Sequence, residues 1–211
     1  MARIDAPRLN SLEATFFNDI VFDTPQFTQF ISHTPTLEAF VNASVVLWDH
    51  HASIKLSSKT SNDGDLNVGI SCGQLDWQLS FLEQVCTSFL PPISALNDFY
   101  ITNRQSLRNC GDDIDNSSWL ELLHLFTTVK NLYLSEAIAS RIVPALQELV
   151  ASGVTEVLPN LQNVYLGSHQ PSGVVQESIG KFLAARQLTG HPIAVSRWDK
   201  DPSVTMVEVF D

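Results

Sequence analysis

Apolar and polar positions alternate in three short segments of this chain that repeat one pattern. Each segment reads apolar-x-x-apolar-Tyr-apolar, with Asn or Asp two positions before the tyrosine. The segments are Leu96-Asn97-Asp98-Phe99-Tyr100-Ile101, Val129-Lys130-Asn131-Leu132-Tyr133-Leu134 and Leu161-Gln162-Asn163-Val164-Tyr165-Leu166. They begin 33 and 32 residues apart. A fixed period in this range predicts a protein built from stacked structural repeats.

Weaker copies of the pattern extend the repeat along the chain. We predict a single domain over residues 1–211 with about seven units, starting near Leu9, Leu37, Leu66, Leu96, Val129, Leu161 and Ile193. Amphipathic stretches between these starts predict helices after Thr24, after Asp76, from Ser118, between Ile138 and Val150, and between Val174 and Leu183. Pro144 lies inside the fourth stretch and predicts a kink or a late helix start.

One unit departs from the pattern. Between Leu37 and Leu66, the strand-like segments Ala43–Trp48 and Ala52–Ser57 flank Asp49-His50-His51. We interpret them as a hairpin that replaces a helix.

Strand followed by helix, repeated, predicts a parallel sheet joined by right-handed crossovers. Because the helices all serve one face, we expect the sheet to curve. The predicted fold is an α/β curved solenoid, with the parallel sheet on the concave face, the helices on the convex face and one irregular, hairpin-containing repeat. The strand Leu9–Phe17 is expected to expose an unpaired edge.

Charge and composition narrow the class of partner. The formal net charge is −11, so nucleic acid is not expected as a partner, because phosphate binding needs concentrated Lys and Arg. The three cysteines are too few for a disulfide framework and indicate a reducing compartment. The first eight residues contain no apolar core typical of a signal peptide, and no apolar run is long enough to span a membrane. We therefore expect a cytoplasmic or nuclear protein with no membrane partner.

The tyrosines are the candidate binding residues. Because strand side chains alternate between faces, Tyr100, Tyr133 and Tyr165 should point away from the core and form one row, roughly 4.8 Å apart. Asp98, Asn131 and Asn163 should form a parallel polar row on the same face. Aromatic planes beside amides suit a protein contact site. The alternative is that the rings stack only to stabilise the sheet, at about 0.5–1.5 kcal/mol a pair.

A catalytic alternative rests on Gly69-Ile70-Ser71-Cys72-Gly73, which matches the nucleophile-elbow pattern between a strand and a helix. Asp112 or Asp113 would supply the acid, and His169 or His191 the base. No His-Gly-Gly segment precedes the serine, and we predict no catalysis. We also expect no cofactor and no metal, because phosphate-binding glycine motifs and zinc-spaced Cys or His pairs do not occur.

The strand pattern Leu/Val-x-x-Leu-x-Leu resembles the strand core of leucine-rich repeats. The chain also resembles the carboxy-terminal repeat region of fungal F-box proteins, in Leu75-Asp76-Trp77-Gln78, Trp119-Leu120-Glu121-Leu122-Leu123, Lys130-Asn131-Leu132-Tyr133-Leu134-Ser135 and His191-Pro192-Ile193-Ala194-Val195-Ser196-Arg197-Trp198. The resemblance implies a non-catalytic protein-binding module like the substrate-recognition part of a ubiquitin-ligase receptor.

We expect this chain to contain no F-box for the ligase adaptor, because Leu9 is already predicted to belong to a repeat strand. The adaptor is therefore expected as a partner only of a longer chain. A truncated fragment without independent activity is the remaining alternative.

Overall fold

One eight-stranded sheet with four helices makes up the structure, a computed structural model that describes residues 11–17, 29, 40–58, 65–88, 95–103, 116–151, 157–167 and 173–198. The strands are β1 (Ser11–Phe17), β2 (Asn42–Trp48), β3 (His51–Ser57), β4 (Asp65–Ser71), β5 (Asp98–Asn103), β6 (Asn131–Leu134), β7 (Asn163–Leu166) and β8 (Ala194–Arg197). The helices are α1 (Leu75–Ser88), α2 (Asn116–His124), α3 (Glu136–Ala151) and α4 (Gly173–Leu188).

The strand order is β1-β4-β3-β2-β5-β6-β7-β8, and β3 alone runs against the other seven. The predicted mixed α/β class with a mostly parallel sheet is therefore confirmed. From β5 onward the strands follow one another in chain order. A helix lies between each of these strands and the next along the chain.

The predicted hairpin is present as β2 and β3, joined by a turn at Asp49 and His50. It changes the order of the sheet. The units at Leu66 and Leu96 were expected to be neighbours, but β4 is separated from β5 by both hairpin strands. The physical reason is the return direction of β3, which pairs antiparallel with β2 and β4 and so places β4 two strands beyond β2.

The strand register also relocates one repeat start. Asn42 pairs with Asp98, so Phe40 occupies the position of Leu96, and both side chains are buried. Leu66 instead pairs with Leu56, Leu56 pairs with Ala43, and Ala43 pairs with Phe99. Leu66 therefore lies in the row of Phe99, three residues after the repeat start at Leu96. The predicted starts Leu9 and Leu37 lie outside the described residues, as does the predicted helix start at Thr24.

The core lies on one side of the sheet, where alternate strand residues meet the helices. Its largest fully buried side chains include Phe99 of β5, Trp119 of α2 and Phe126, which follows α2. The rings of Phe99 and Phe126 stack at a centroid distance of 4.0 Å. Apolar positions spaced for a helix thus cover apolar positions spaced for a strand, and both are removed from water.

Helix α3 shows how the chain accommodates a proline inside a helix. It begins at Glu136, so the late start predicted from Pro144 is wrong. Pro144 and Ser140, whose carbonyl loses its helical hydrogen-bond partner, are both exposed, so water can satisfy that carbonyl.

The two ends of the sheet are β1 and β8. In β1, positions alternate between exposed and half-buried, and all four residues of β8 are exposed. The described part of the strand predicted at Leu9–Phe17 is thus an edge strand. None of the helices in the described ranges has the combination of length and apolarity that crossing a membrane requires.

Candidate functional site

The face of the sheet opposite the core carries the predicted site residues. In β5 to β7 the core-facing positions are buried, while the alternate positions at the tyrosines and at Asp98, Asn131 and Asn163 are half-buried. We call this side the open face, the three tyrosines the tyrosine ladder, and the three polar residues the amide row.

The tyrosine ladder forms the single row expected from the sequence. Tyr133 pairs in register with Tyr100 on one side and with Tyr165 on the other. Ring centroids lie 4.2 Å apart for Tyr100–Tyr133 and 4.5 Å apart for Tyr133–Tyr165, with interplanar angles of 14° and 8°. The spacing follows that of neighbouring strands, so the rings are held in place by the sheet. A partner would meet ring edges and hydroxyl groups in this row, because the inner ring faces cover one another.

The amide row forms a directed chain of hydrogen bonds. The Asn163 Nδ2 donates to Asn131 Oδ1 at 2.8 Å, and the Asn131 Nδ2 donates to Asp98 Oδ1 at 2.8 Å. The Tyr133 hydroxyl also donates to Asp98 Oδ1, at 3.5 Å. Every donor in this chain points toward β5, so the carboxylate of Asp98 is where the chain ends.

Trp198 lies against the ladder as a fourth aromatic side chain, and it was not among the predicted binding residues. Its indole Nε1 donates to the Leu134 carbonyl at 3.3 Å, while its backbone N–H donates to the Leu166 carbonyl at 3.1 Å. The side chain therefore crosses β7 and reaches β6. The indole lies 5.5 Å from the Tyr133 ring, edge to face, and 6.0 Å from the Tyr100 ring.

The repeat register contained the signal for Trp198. Tyr165 pairs with Ser196, so Trp198 stands two positions beyond the tyrosine position and on the same face. Gly167, which follows Leu166, packs closely on the chain that leaves β6, because a Cβ there would lie 3.4 Å from the Cα of Ser135.

Two hydroxyls lie in the strand row that Trp198 crosses. Thr102 Oγ1 and Ser135 Oγ are buried and make no hydrogen bond within the described residues. Ile101 pairs with Leu134, which makes Thr102 and Ser135 neighbours in register. Leaving such groups unsatisfied is unfavourable by about 1–3 kcal/mol each. Burial of these two hydroxyl groups beside the ladder therefore comes at a cost in stability.

Burial and charge favour the protonated phenols of Tyr100 and Tyr133 by raising the pKa of each. Burial, together with the neighbouring Tyr100 and the carboxylate of Asp98, raises the pKa of Tyr133 well above its ordinary value. Burial and then Asp98 likewise raise the pKa of Tyr100. The ladder thus presents neutral hydroxyl groups beside one carboxylate. This arrangement can donate and accept hydrogen bonds and can attract a cation.

On β1, β3 and β4 the same face carries unlike residues in place of the tyrosines. The row through Tyr100 continues to Ser44, Lys55, Asn67 and Glu13. Asn67 Nδ2 donates to Glu13 Oε1 at 3.0 Å, and the Lys55 ammonium lies 2.9 Å from an Asp65 carboxylate oxygen. These contacts are local pairs of opposite polarity rather than a ladder.

The catalytic alternative finds no partner for its nucleophile among the described residues. Ser71 ends β4, and its hydroxyl donates to the backbone carbonyl of His50 at 3.3 Å. His191 precedes β8, six strands away along the sheet and beside the opposite ends of the strands. Asp112, Asp113 and His169 lie outside the described residues. Within those residues, no cluster of His, Cys, Asp and Glu has the arrangement that a metal ion needs.

A separate cleft of about 440 Å³ opens at the carboxyl end of β5. It is lined by Asn103, Ser135, Glu136, Ala137, Ser140 and Val175. Glu136 stands in the first turn of α3, where its negative charge interacts favourably with the positive end of the helix dipole. This placement gives the carboxylate a structural role, and the cleft lies outside the tyrosine ladder.

Compared with known proteins, the chain matches no family model, no curated protein and no solved structure.

Proposed function

We propose that this protein is a non-catalytic module that binds a partner protein through the tyrosine ladder and the amide row. The observation that supports the proposal most directly is the ladder itself, a half-buried aromatic row on an open sheet face. Tyrosine is one of the residues that contribute most to the binding energy at protein interfaces. Rings already held by the sheet lose little conformational freedom on binding, so less of the contact energy is spent on ordering them.

The proposal extends to the shape of the sheet and to the class of receptor. A strand-plus-helix unit repeated from β5 to β8 favours a sheet that bends into an arc, with the ladder in its hollow, as in a leucine-rich-repeat solenoid. The resemblance to F-box proteins favours a role in recognising the substrate of a ubiquitin ligase. The ligase adaptor would bind only where an F-box is present in a longer chain.

The stabilising role of stacking is the competing explanation of the ladder. It predicts that the rings stabilise the fold and that their hydroxyl groups contribute nothing to partner binding. Replacing all three tyrosines by phenylalanine separates the two explanations, because the stacks remain and the hydroxyl groups are lost.

The test is an affinity purification from cells with quantitative mass spectrometry, followed by binding of each differential partner in purified form. We expect the Tyr100→Phe, Tyr133→Phe, Tyr165→Phe triple variant to bind its purified partner at least about tenfold more weakly than wild type. Trp77→Ala is the matched control, because Trp77 is an aromatic residue 57 % exposed on α1 and away from the ladder. Equal capture of every partner by the triple variant and wild type would contradict the proposal.

A further inference from the structure

The tyrosine ladder has two ends, and each end is flanked by a serine. Ser44 of β2 pairs in register with Tyr100, and Ser196 of β8 pairs with Tyr165. A serine side chain is too short to cover the outer face of the adjoining ring. The described ring contacts of Tyr100 are to Tyr133 and Trp198, neither of which belongs to β2. We call the space over Ser44, beside the outer face of Tyr100, the Ser44 slot.

The spacing of the sheet defines what the Ser44 slot accepts. Neighbouring strands lie roughly 4.8 Å apart, and the rings of the ladder stack at 4.2 and 4.5 Å. A flat group placed over Ser44 would therefore continue the stack at the same interval. A bulky or branched group would not pack against a flat ring as closely.

The charges around the slot select a cation. Asp98 stands diagonally from Ser44, since it pairs with Asn42. Its Oδ1 accepts hydrogen bonds from Asn131 and from Tyr133. Its Oδ2 accepts no hydrogen bond from a described residue and is accessible to solvent. A further donor can therefore approach this carboxylate.

The lysine beside Ser44 in the row does not oppose a cation in the slot. Lys55 is the next residue beyond Ser44 in the row, but its ammonium is bound to Asp65 of β4, on the side away from Tyr100. The chain as a whole carries a net charge of −11, which favours approach of a basic partner.

We propose that the Ser44 slot binds an arginine side chain of the partner protein, with the guanidinium stacked on Tyr100 and hydrogen-bonded to Asp98. A guanidinium is flat, stacks on aromatic faces and donates two parallel hydrogen bonds to a carboxylate, whereas the ammonium of lysine is a compact point charge. The inference rests on the proposed function, because it names the group that this face recognises. At the other end of the ladder, the residues described around Ser196 in the register are Ala194 and Asn163, neither of which carries a carboxylate.

The test uses the three tyrosines as reporters. All three belong to the ladder, so fluorotyrosine labelling gives three fluorine NMR signals that report on the ladder alone. Single Tyr→Phe variants assign them. The probes are acetyl-Gly-Arg-Gly-amide and its lysine and citrulline counterparts. We expect the arginine peptide to shift the Tyr100 signal saturably, with an apparent Kd at least about tenfold below that of the uncharged citrulline peptide and about threefold below that of the lysine peptide.

Three substitutions sharpen the test. Asp98→Asn keeps the shape and the amide row but removes the charge, and should weaken the arginine peptide at least about fivefold. Ser44→Phe fills the slot and should abolish the shift of the Tyr100 signal. Ser196→Phe, the matched change at the other end of the ladder, should leave the apparent Kd unchanged. An unperturbed Tyr165 signal in Ser44→Phe and Asp98→Asn, and an unperturbed Tyr100 signal in Ser196→Phe, show that the sheet remains folded, because none of these substitutions lies beside the ring that reports on it.

Three outcomes would contradict arginine binding in the Ser44 slot. They are equal shifts by all three peptides, no saturable shift with the arginine peptide, and arginine binding that survives Ser44→Phe. Partner capture distinguishes this failure from that of the proposed function. If Ser44→Phe keeps a partner that the triple Tyr→Phe variant loses, the ladder binds protein without an arginine. If neither variant loses a partner, the protein-binding proposal itself fails.

Discussion

The two halves of the sheet differ in the direction and order in which their strands pair. The regular half consists of β5 to β8 with α2 to α4, and its strands repeat one backbone connection. Lys130 and Asn131 both donate to the Asn97 carbonyl at 2.9 Å, and one repeat later Gln162 and Asn163 both donate to the Lys130 carbonyl at 2.9 Å. Because the step from strand to strand is constant, identical residues fall side by side and form ladders.

The irregular half consists of β1 to β4 with α1, and its strands reverse direction at β3. Reversal changes which residues meet, so the row that holds tyrosines in the regular half holds Glu13, Asn67 and Lys55 here. Its contacts are a salt bridge and an amide–carboxylate hydrogen bond between unlike partners. The ladder ends at Ser44 of β2, a strand that still runs parallel to β5, and the reversal at β3 then brings unlike residues together.

The strongest way to break the regular half is to remove a ring from its core. Phe99 is fully buried and stacks on Phe126, so Phe99→Ala should lower the free energy of unfolding by about 3–5 kcal/mol through lost burial and a residual cavity. Phe16→Ala in β1 should have a smaller effect, because Phe16 is only partly buried against Phe81. Urea unfolding of both variants checks this order, and a larger loss for Phe16→Ala would contradict it.

The glycines give a second contrast between the halves. In the irregular half, a Cβ on Gly69 would lie 2.7 Å from Cε1 of His51 and 3.2 Å from the Ala52 carbonyl oxygen. Gly69→Ala should therefore destabilise the fold by about 1–3 kcal/mol through overpacking.

In the regular half, a Cβ on Gly180 of α4 would meet no atom within 4 Å. Gly180→Ala should stabilise the protein by up to about 1 kcal/mol, because alanine favours the helix. The same chemical change is thus expected to have opposite signs in the two halves. Thermal and urea unfolding measure both variants, and equal signs would refute the packing difference.

The smallest expected effect concerns pH and only the regular half, since the chain's three tyrosines all lie there. Burial raises the pKa of Tyr133 and of Tyr100 in the folded protein, with Asp98 adding to both shifts. The folded state therefore keeps protons that the unfolded state has lost. The resulting stability is fully present below the ordinary tyrosine pKa of about 10 and disappears as the pH rises through the folded pKa.

Tyr133→Phe removes the titrating group, so the urea midpoint should fall less steeply above about pH 10 than it does in wild type. At neutral pH the free energies of unfolding of the two proteins should agree within about 0.5 kcal/mol, because the hydroxyl makes one long hydrogen bond of 3.5 Å. Tyrosinate absorbance in the near ultraviolet follows the ionisation directly. Parallel decline in both proteins would exclude Tyr133 as the source of the alkaline sensitivity.

Local periodicity was enough to predict several elements correctly. The hairpin strands and the helices from α1 onward appear near their predicted positions, because alternation and the 3.6-residue period depend only on residues close in sequence. The register of Tyr100, Tyr133 and Tyr165 was also predictable, since equal spacing in a parallel array implies equal height in the sheet.

Pairing between distant segments was not predictable in the same way. The place of β2 beside β5, the role of Phe40 at the position of Leu96, and the reach of Trp198 across β7 depend on which strands become neighbours. Nothing within each segment encodes that choice.

By itself, the sequence determined the repeating unit, the face on which each tyrosine lies and the polar residue two positions before it, because these follow from the short period of a strand. Only the tertiary structure decided the strand order, the end of the ladder at Ser44 and the position of the Trp198 indole against Tyr133 and Tyr100. These features arise when the return of β3 moves β4 away from β5, since hydrogen bonding between strands is satisfied by whichever edge is brought alongside.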